Sequence, residues 1–276
     1  MTHPQHIGQS DITYKQSSSI LSKASGFIDA FDYTLNPYTG CTFGCSYCYA
    51  AFFARDRDLQ ARWGHWLQVK ANALDLLKKK RKRPLVDKAI YMSSVTDPYQ
   101  PVEKELELTR AILQELLAYH QVRLVIQTRG TLVTRDIDLL SRFDHAQVNM
   151  TITTDDHDVR RAFEPLCPST AQRLDAIRQI NAAGIQAAIT MTPLLPVRDP
   201  EQFAADLQAT GVQRFVVQYF HATKSRFVAG TGAAARAISA QMGWDETRYA
   251  AVKAILKSHL PELREGKAGF TPYWME

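Results

Sequence analysis

The sequence predicts an α/β fold, a partial (β/α)6 barrel of the TIM type with N- and C-terminal extensions. Two observations predict it. From Phe31 onward, short β-prone runs alternate with longer helical patterns, and the five clearest runs start 33, 25, 38 and 27 residues apart. That spacing suits repeated strand–helix units with right-handed crossovers, which lay parallel strands side by side under a cover of helices. A length of 276 residues suits one such core better than two domains.

The strands are expected at residues 89–93, 122–127, 147–153, 185–191 and 212–219, with a first strand just before Cys41. Between them, Leu108, Ile112, Leu113, Leu116 and Leu117 fall on one helical face. Leu174, Ile177 and Ile180 repeat at intervals of three before Gly184, which stands where a helix should end. Residues 1–30 are rich in Ser, Gln and Lys without a sustained period, so they are expected to wrap or fray as an extension. The core is expected over 31–225 and a helical, aromatic extension over 226–276, whose Phe270, Tyr273 and Trp274 either close a barrel opening or dock a partner.

Hydrophobic residues make up 45% of the chain and charged residues 22%, ordinary globular values. No stretch approaches the roughly 20 apolar residues needed to span a bilayer, and residues 1–10 do not read as a secretory signal. A cytoplasmic protein with no membrane partner is the expectation. The formal charge is +5, yet six basic residues form one run from Lys78 to Arg83, so the remainder is close to neutral. The run reads either as a phosphate-contacting segment or as the solvated end of the helix that Leu74, Leu76 and Leu77 begin. The helix-end reading is favoured, since basic groups complement the dipole there and Pro84 follows.

In parallel barrels function gathers where strands end. Here those positions are polar: Ser93, Ser94, Thr96 and Asp97 after the second strand, Thr128 and Arg129 after the third, Thr151, Thr153 and Thr154 after the fourth, Thr192 after the fifth and His221 after the sixth. Threonine favours strands for its own β-branched reasons, so the group carries more weight than any member. Asp97 also has a structural reading, because Thr96, Asp97 and Pro98 make a common turn opening. A lone histidine such as His221 is more often structural than a proton carrier.

Cys41, Cys45 and Cys48 crowd into eight residues with the spacing C-x3-C-x2-C, flanked by Gly40 and Gly44. Three thiolates on one short loop can each hold one iron of a [4Fe-4S] cube and leave the fourth iron open to a small-molecule chelate. The glycines would let backbone approach the cluster. A zinc site completed by Cys167 or a histidine, or unligated cysteines, are the other readings; no C-x2-C or H-x3-H partner is present for zinc.

This loop, with Tyr47 before its last cysteine, resembles the signature of the radical S-adenosylmethionine (SAM) superfamily. More narrowly, residues 36–41, 96–103, 135–140 and 164–165 resemble the spore photoproduct lyase-like, or DNA repair photolyase-like, group, over about residues 31–220. The resemblance implies a barrel of the radical SAM type in which a [4Fe-4S] cluster on Cys41, Cys45 and Cys48 cleaves SAM to a 5'-deoxyadenosyl radical. It implies that Tyr47 lies against adenine, that Arg129 grips the cofactor carboxylate, and that Ser94, Thr96, Asp97, Thr151 and Thr153 serve its amino and ribose groups. A reductant such as flavodoxin or ferredoxin and a nucleic-acid substrate are implied with it. The lyase has lysine where Arg129 stands; arginine keeps the charge and adds a bidentate grip.

The lyase also uses a further cysteine after its second strand as hydrogen-atom donor, and residues 93–101 contain none. Cys167 is the remaining thiol, a candidate donor or simply a small buried hydrophobe. Asp97 is the other candidate catalytic group. Two further readings stay open: radical modification of a peptide or small metabolite, and a non-catalytic iron-sulfur redox sensor. Oligomeric state is not written in the sequence.

Overall fold

A computed structural model describes residues 3–54, 56–220 and 231–275. Its strands are β1 (His6–Ile7), β2 (Ser10–Lys15), β3 (Leu21–Lys23), β4 (Tyr33–Leu35), β5 (Tyr38–Gly40) and β6 (Trp66–Lys70), then β7 (Val86–Met92), β8 (Gln121–Thr128), β9 (Ala146–Thr151), β10 (Gln186–Met191), β11 (Arg214–Val217) and β12 (Glu262–Glu265). Eight of them form one sheet in the order β12-β11-β10-β9-β8-β7-β4-β3. Every neighbouring pair from β4 to β12 is parallel, while β3 joins antiparallel at the edge. The edges β3 and β12 do not pair with each other, so this is a partial barrel, as the strand spacing predicts.

Register explains how the sheet divides its two faces. Ile90 lies opposite Leu124, Ile126 opposite Val148, and Met150 opposite Ile189, and all of these point to the helices. There they meet Ile112, Leu113 and Leu116 of the helix Leu108–Tyr119, Ile177 and Ile180 of the helix Thr170–Ala182, and Phe203 and Leu207 of the helix Pro200–Gln208. Gly184 does follow a helix end, at φ +76°. Because side chains alternate along a strand, Tyr91, Gln127, Asn149, Thr151 and Thr190 take the inner face. The polar groups on that face bond to one another. Tyr91 donates to Gln127 Oε1 at 2.8 Å, and Gln127 Nε2 donates to the hydroxyls of Thr151 and Thr190 at 2.8 and 2.9 Å.

Of the two expectations for the N-terminal extension, wrapping is the one that describes it. Residues 6–15 do not fray: β1, β2, β6 and β5 form a second sheet, and β5 leads directly into the cysteine loop. The first barrel strand is β4, one element earlier than the strand beside Cys41. At the other end, β12 adds a seventh parallel strand to the main sheet. The two termini also meet across the gap between the sheet edges: the rings of Phe27 and Phe270 are 6.2 Å apart at 77°, and Lys267 Nζ lies 2.6 Å from Asp29 Oδ2. Tyr273 and Trp274 pack on His145, just before β9, and so lie at the N-terminal ends of the strands, while Phe270 lines the cysteine cavity.

The basic run finishes a helix, Ala73–Lys78, and its 3-10 extension Lys79–Lys82. Arg81 forks onto Glu115 at 2.7 and 2.5 Å and lies 3.5 Å over the Tyr119 ring. Since the run feeds the start of β7, it lies at the barrel end opposite the strand C-termini. The solvated-end reading of this run is the one the geometry favours. Among the described residues, no helix is long and apolar enough to cross a membrane.

Candidate cofactor site at the cysteine loop

The start of the cysteine loop is held by one segment, residues 96–103, which follows β7. Thr96 Oγ1 donates to the Gly40 carbonyl at 2.6 Å. Gln100 Oε1 accepts from both the amide and the hydroxyl of Thr42, at 3.0 and 3.2 Å. The Tyr38 hydroxyl donates to Glu103, whose carboxylate also takes the Thr109 amide at 2.9 Å and faces Arg135 at 3.3 Å. Three side chains thus bracket positions 38, 40 and 42 around Cys41. Spacing alone did not reveal Gln100 or Glu103 as functional, because their partners lie about sixty residues upstream.

The loop glycines serve close backbone packing. Gly40 has φ +82°, and a Cβ there would stand 2.7 Å from the Trp66 ring. A Cβ at Gly44, φ +61°, would stand 3.2 Å from the Gly64 Cα. Both conformations lie where only glycine sits without strain.

Cys41, Cys45 and Cys48 line one cavity of about 560 Å³ at the C-terminal ends of the strands. No three His, Cys, Asp or Glu groups among the described residues gather closely enough to hold a single metal ion. Separate thiols on one wall suit a cube, which takes one thiolate per iron, better than a tetrahedral zinc, which draws its ligands onto one atom. Burial pushes the Cys41 thiol up, and it pushes Cys48 up to about 11. Cys45 goes the other way: Cys167, at 3.6 Å, hydrogen-bonds to it, and Arg129 adds positive charge nearby. Three cysteines on one wall with Arg129 beside them are the donor set an iron-sulfur group takes, so the residues present fit that group.

Arg129 and Tyr47 form the second wall. Tyr47 donates to buried Glu164 and accepts from Arg129 Nη2 at 3.2 Å. Glu164 is the hub behind them: Arg173 Nη2 lies 2.6 Å from it, and Thr153 Oγ1 donates to it at 3.0 Å. Burial opposes the Glu164 charge, but Arg173 and Arg129 outweigh it and hold the carboxyl below its usual range. Burial likewise opposes the Arg129 charge, and Cys45, Tyr47 and Glu164 restore it. Its Nε, aimed into this buried region, makes no hydrogen bond among the described residues.

Ser94, Thr96, Asp97 and Thr151 also line the cavity, but most of their polar atoms are engaged. Asp97 accepts from Tyr99 N, Thr128 Oγ1 and Arg129 N at 2.9, 2.7 and 2.8 Å, which ties the ends of β7 and β8 together. The turn reading of Asp97 describes this geometry. Asn36 holds Ser94, donating from Nδ2 to its hydroxyl at 3.3 Å and accepting its amide at Oδ1 at 3.0 Å. Thr153 points to Glu164 and is not on the cavity wall. Cys167 is not there either: it packs behind Cys45, away from the space where a hydrogen donor would meet a substrate. His221 lies outside the described residues.

Ser93, which spacing placed only among polar strand ends, is the unusual member of the wall. Its φ is +71°, uncommon for a residue other than glycine, and its buried hydroxyl has no partner among the described residues. Tyr49, Phe53, Trp63 and Phe220 add aromatic surface to the same cavity.

A family model described as the radical SAM superfamily matches residues 35–209, more than half of the chain. The chain belongs to the radical SAM superfamily. It thereby joins a class of enzymes. Spore photoproduct lyase shares its fold with a TM-score of 0.61 at 15% identity, over 92% of this chain and 81% of that one. The uncharacterized protein MJ0683 of Methanocaldococcus jannaschii is 37% identical over 164 residues, 59% of this chain. The match spans 61% of that relative's own length. A radical SAM Nalpha-GlyT isomerase of Pseudomonas phage M6 is 26% identical over 163 residues, 58% of this chain and 32% of its own.

Proposed function

We propose that this radical SAM protein holds a [4Fe-4S] cluster on Cys41, Cys45 and Cys48 and uses it to cleave SAM reductively for radical chemistry on a nucleic-acid component. The observation that carries the reading is the shared cavity: three thiols from one loop open onto the same space as Arg129, whose Nε makes no hydrogen bond among the described residues. When bound, the cluster supplies an electron to SAM, giving methionine and a 5'-deoxyadenosyl radical.

The chain's own residues supply position and charge. Arg129, kept cationic by its neighbours, grips a carboxylate. Tyr47, fixed at its hydroxyl by Glu164 and Arg129, offers its ring as a wall for adenine. Ser93 and Ser94 offer hydroxyls at the end of β7. Phe220, Tyr49 and Phe53 put aromatic surface on the cavity, which suits a heterocycle. Nucleic acid is favoured as substrate by the fold shared with spore photoproduct lyase, including a structure holding AdoMet and a dinucleoside spore photoproduct. Flavodoxin or ferredoxin is the natural class of reductant.

The test is anaerobic reconstitution followed by dithionite and SAM. Expected is 5'-deoxyadenosine, abolished in Cys45→Ala and stimulated by thymine-containing oligonucleotides. A protein that takes up four irons yet yields no deoxyadenosine is a sensor and ends the proposal; stimulation by a peptide or metabolite instead of nucleic acid ends its substrate half.

A further inference from the structure

Cys45 has a neighbour the cluster motif does not require. Its sulfur lines the cavity, and 3.6 Å behind it stands the sulfur of Cys167, 122 residues later in the chain. Cys167 is firmly placed: its amide donates to the Glu164 carbonyl at 3.2 Å, and its carbonyl accepts from Arg160 Nη1 at 2.9 Å. All four cysteines are free, and among the described residues no other pair of thiols is in such contact. A disulfide bond is about 2.05 Å long, so a modest side-chain rotation closes the remaining gap.

We propose that Cys45 and Cys167 are an oxidation site of the iron-free protein, with Cys45 as the thiol that meets peroxide and Cys167 as the one that resolves it. Cys45 reduces one hydrogen peroxide, becoming a sulfenic acid and releasing one water. The Cys167 sulfur then attacks the Cys45 sulfur, the S–O bond breaks, and the oxygen leaves as a second water. Two thiols lose two electrons and two protons, and one peroxide takes them up. Cys45 is assigned the first step because it lines the cavity, from which a peroxide would reach it.

The product withholds one of the three cluster ligands and stores it reversibly, out of reach of overoxidation, until a thiol reductant frees it. Iron on Cys45 would prevent the reaction, so the site reads loss of the cluster. The proposal goes beyond the catalytic reading. It concerns thiols of the iron-free chain, so its failure leaves deoxyadenosine formation by the loaded protein untouched.

The experiment treats anaerobic, iron-free, full-length protein with one equivalent of hydrogen peroxide and blocks remaining thiols with N-ethylmaleimide. Titratable thiols are expected to fall from four to two and to return to four with dithiothreitol. An unreduced tryptic digest should join residues 24–55 to residues 162–173. Cys45→Ser removes the cross-link, whereas Cys41→Ser and Cys48→Ser keep it. If a variant does not fold, fragmentation of the wild-type cross-linked peptide locates the bridge among Cys41, Cys45 and Cys48: a bridge at Cys41 or Cys48, a bridge confined to residues 24–55, or four thiols remaining, overturns the proposal. So does a cross-link that survives Cys45→Ser.

Discussion

Gln100 holds Thr42 at two atoms, taking the amide at 3.0 Å and the hydroxyl at 3.2 Å on a single side-chain oxygen. The contact joins the turn after β7 to the residue following Cys41, and it is fully buried. Losing it leaves two donors without a partner, each costing about 1–3 kcal/mol. Gln100→Ala should therefore lower the thermal midpoint and reduce iron bound after reconstitution, while Gln100→Glu, which keeps an acceptor, recovers part of the iron. Iron per chain and a melting curve check this; full iron loading in Gln100→Ala would show the bracket to be dispensable.

Glu164 and Arg173 are both fully buried and 2.6 Å apart. Removing one member leaves a charge uncompensated, so Glu164→Ala should cost about 3–5 kcal/mol in denaturant unfolding. The pH dependence has a definite sign. Because the folded carboxyl titrates below its ordinary 4.5, its stabilising contribution is complete above that pH and is lost as acid carries the protein down through the folded value. Stability should fall on acidification below about 4.5, and Glu164→Gln should flatten that fall. An unchanged acid limb in Glu164→Gln would contradict it.

Arg129 brings a half-buried guanidinium to the cavity, where the other lining cation is the exposed Lys23. A charge-assisted hydrogen bond is worth about 1.5–3 kcal/mol, so Arg129→Ala should weaken SAM binding roughly ten- to a hundredfold. Arg129→Lys should weaken it less. Equilibrium binding to the reconstituted protein measures both, and equal affinity in all three proteins would remove Arg129 from the cofactor site.

Gly64 and Gly184 both have positive φ, yet they should respond differently to alanine. A Cβ at Gly64 would stand 2.7 Å from the Gly44 Cα in the cysteine loop, whereas nothing lies within 4 Å of one at Gly184. Gly184→Ala should cost only the left-handed backbone penalty, about 1–2 kcal/mol. Gly64→Ala should cost more and also reduce cluster loading, which Gly184→Ala leaves intact. Iron content separates the two.

The amino-acid sequence by itself determined the strand–helix repeat, the parallel sheet and the three-thiol loop. These are local matters: apolar periodicity states which face of each element is buried, and C-x3-C-x2-C places three sulfurs within reach of one another whatever the rest of the chain does. The polar character of the strand ends was legible for the same reason, since each end immediately follows its strand.

Only the tertiary structure decided how distant segments answer one another. Which glutamine meets Thr42, which carboxylate anchors Tyr47 and which thiol stands behind Cys45 depend on strand register and on how loops fold back over the sheet. The termini show the same dependence, because short strands such as β1 and β12 have too few residues for a period and exist through pairing with partners already in place. The basic run stood out in composition, but only the direction of β7 revealed that it lies at the end of the barrel away from the cysteines.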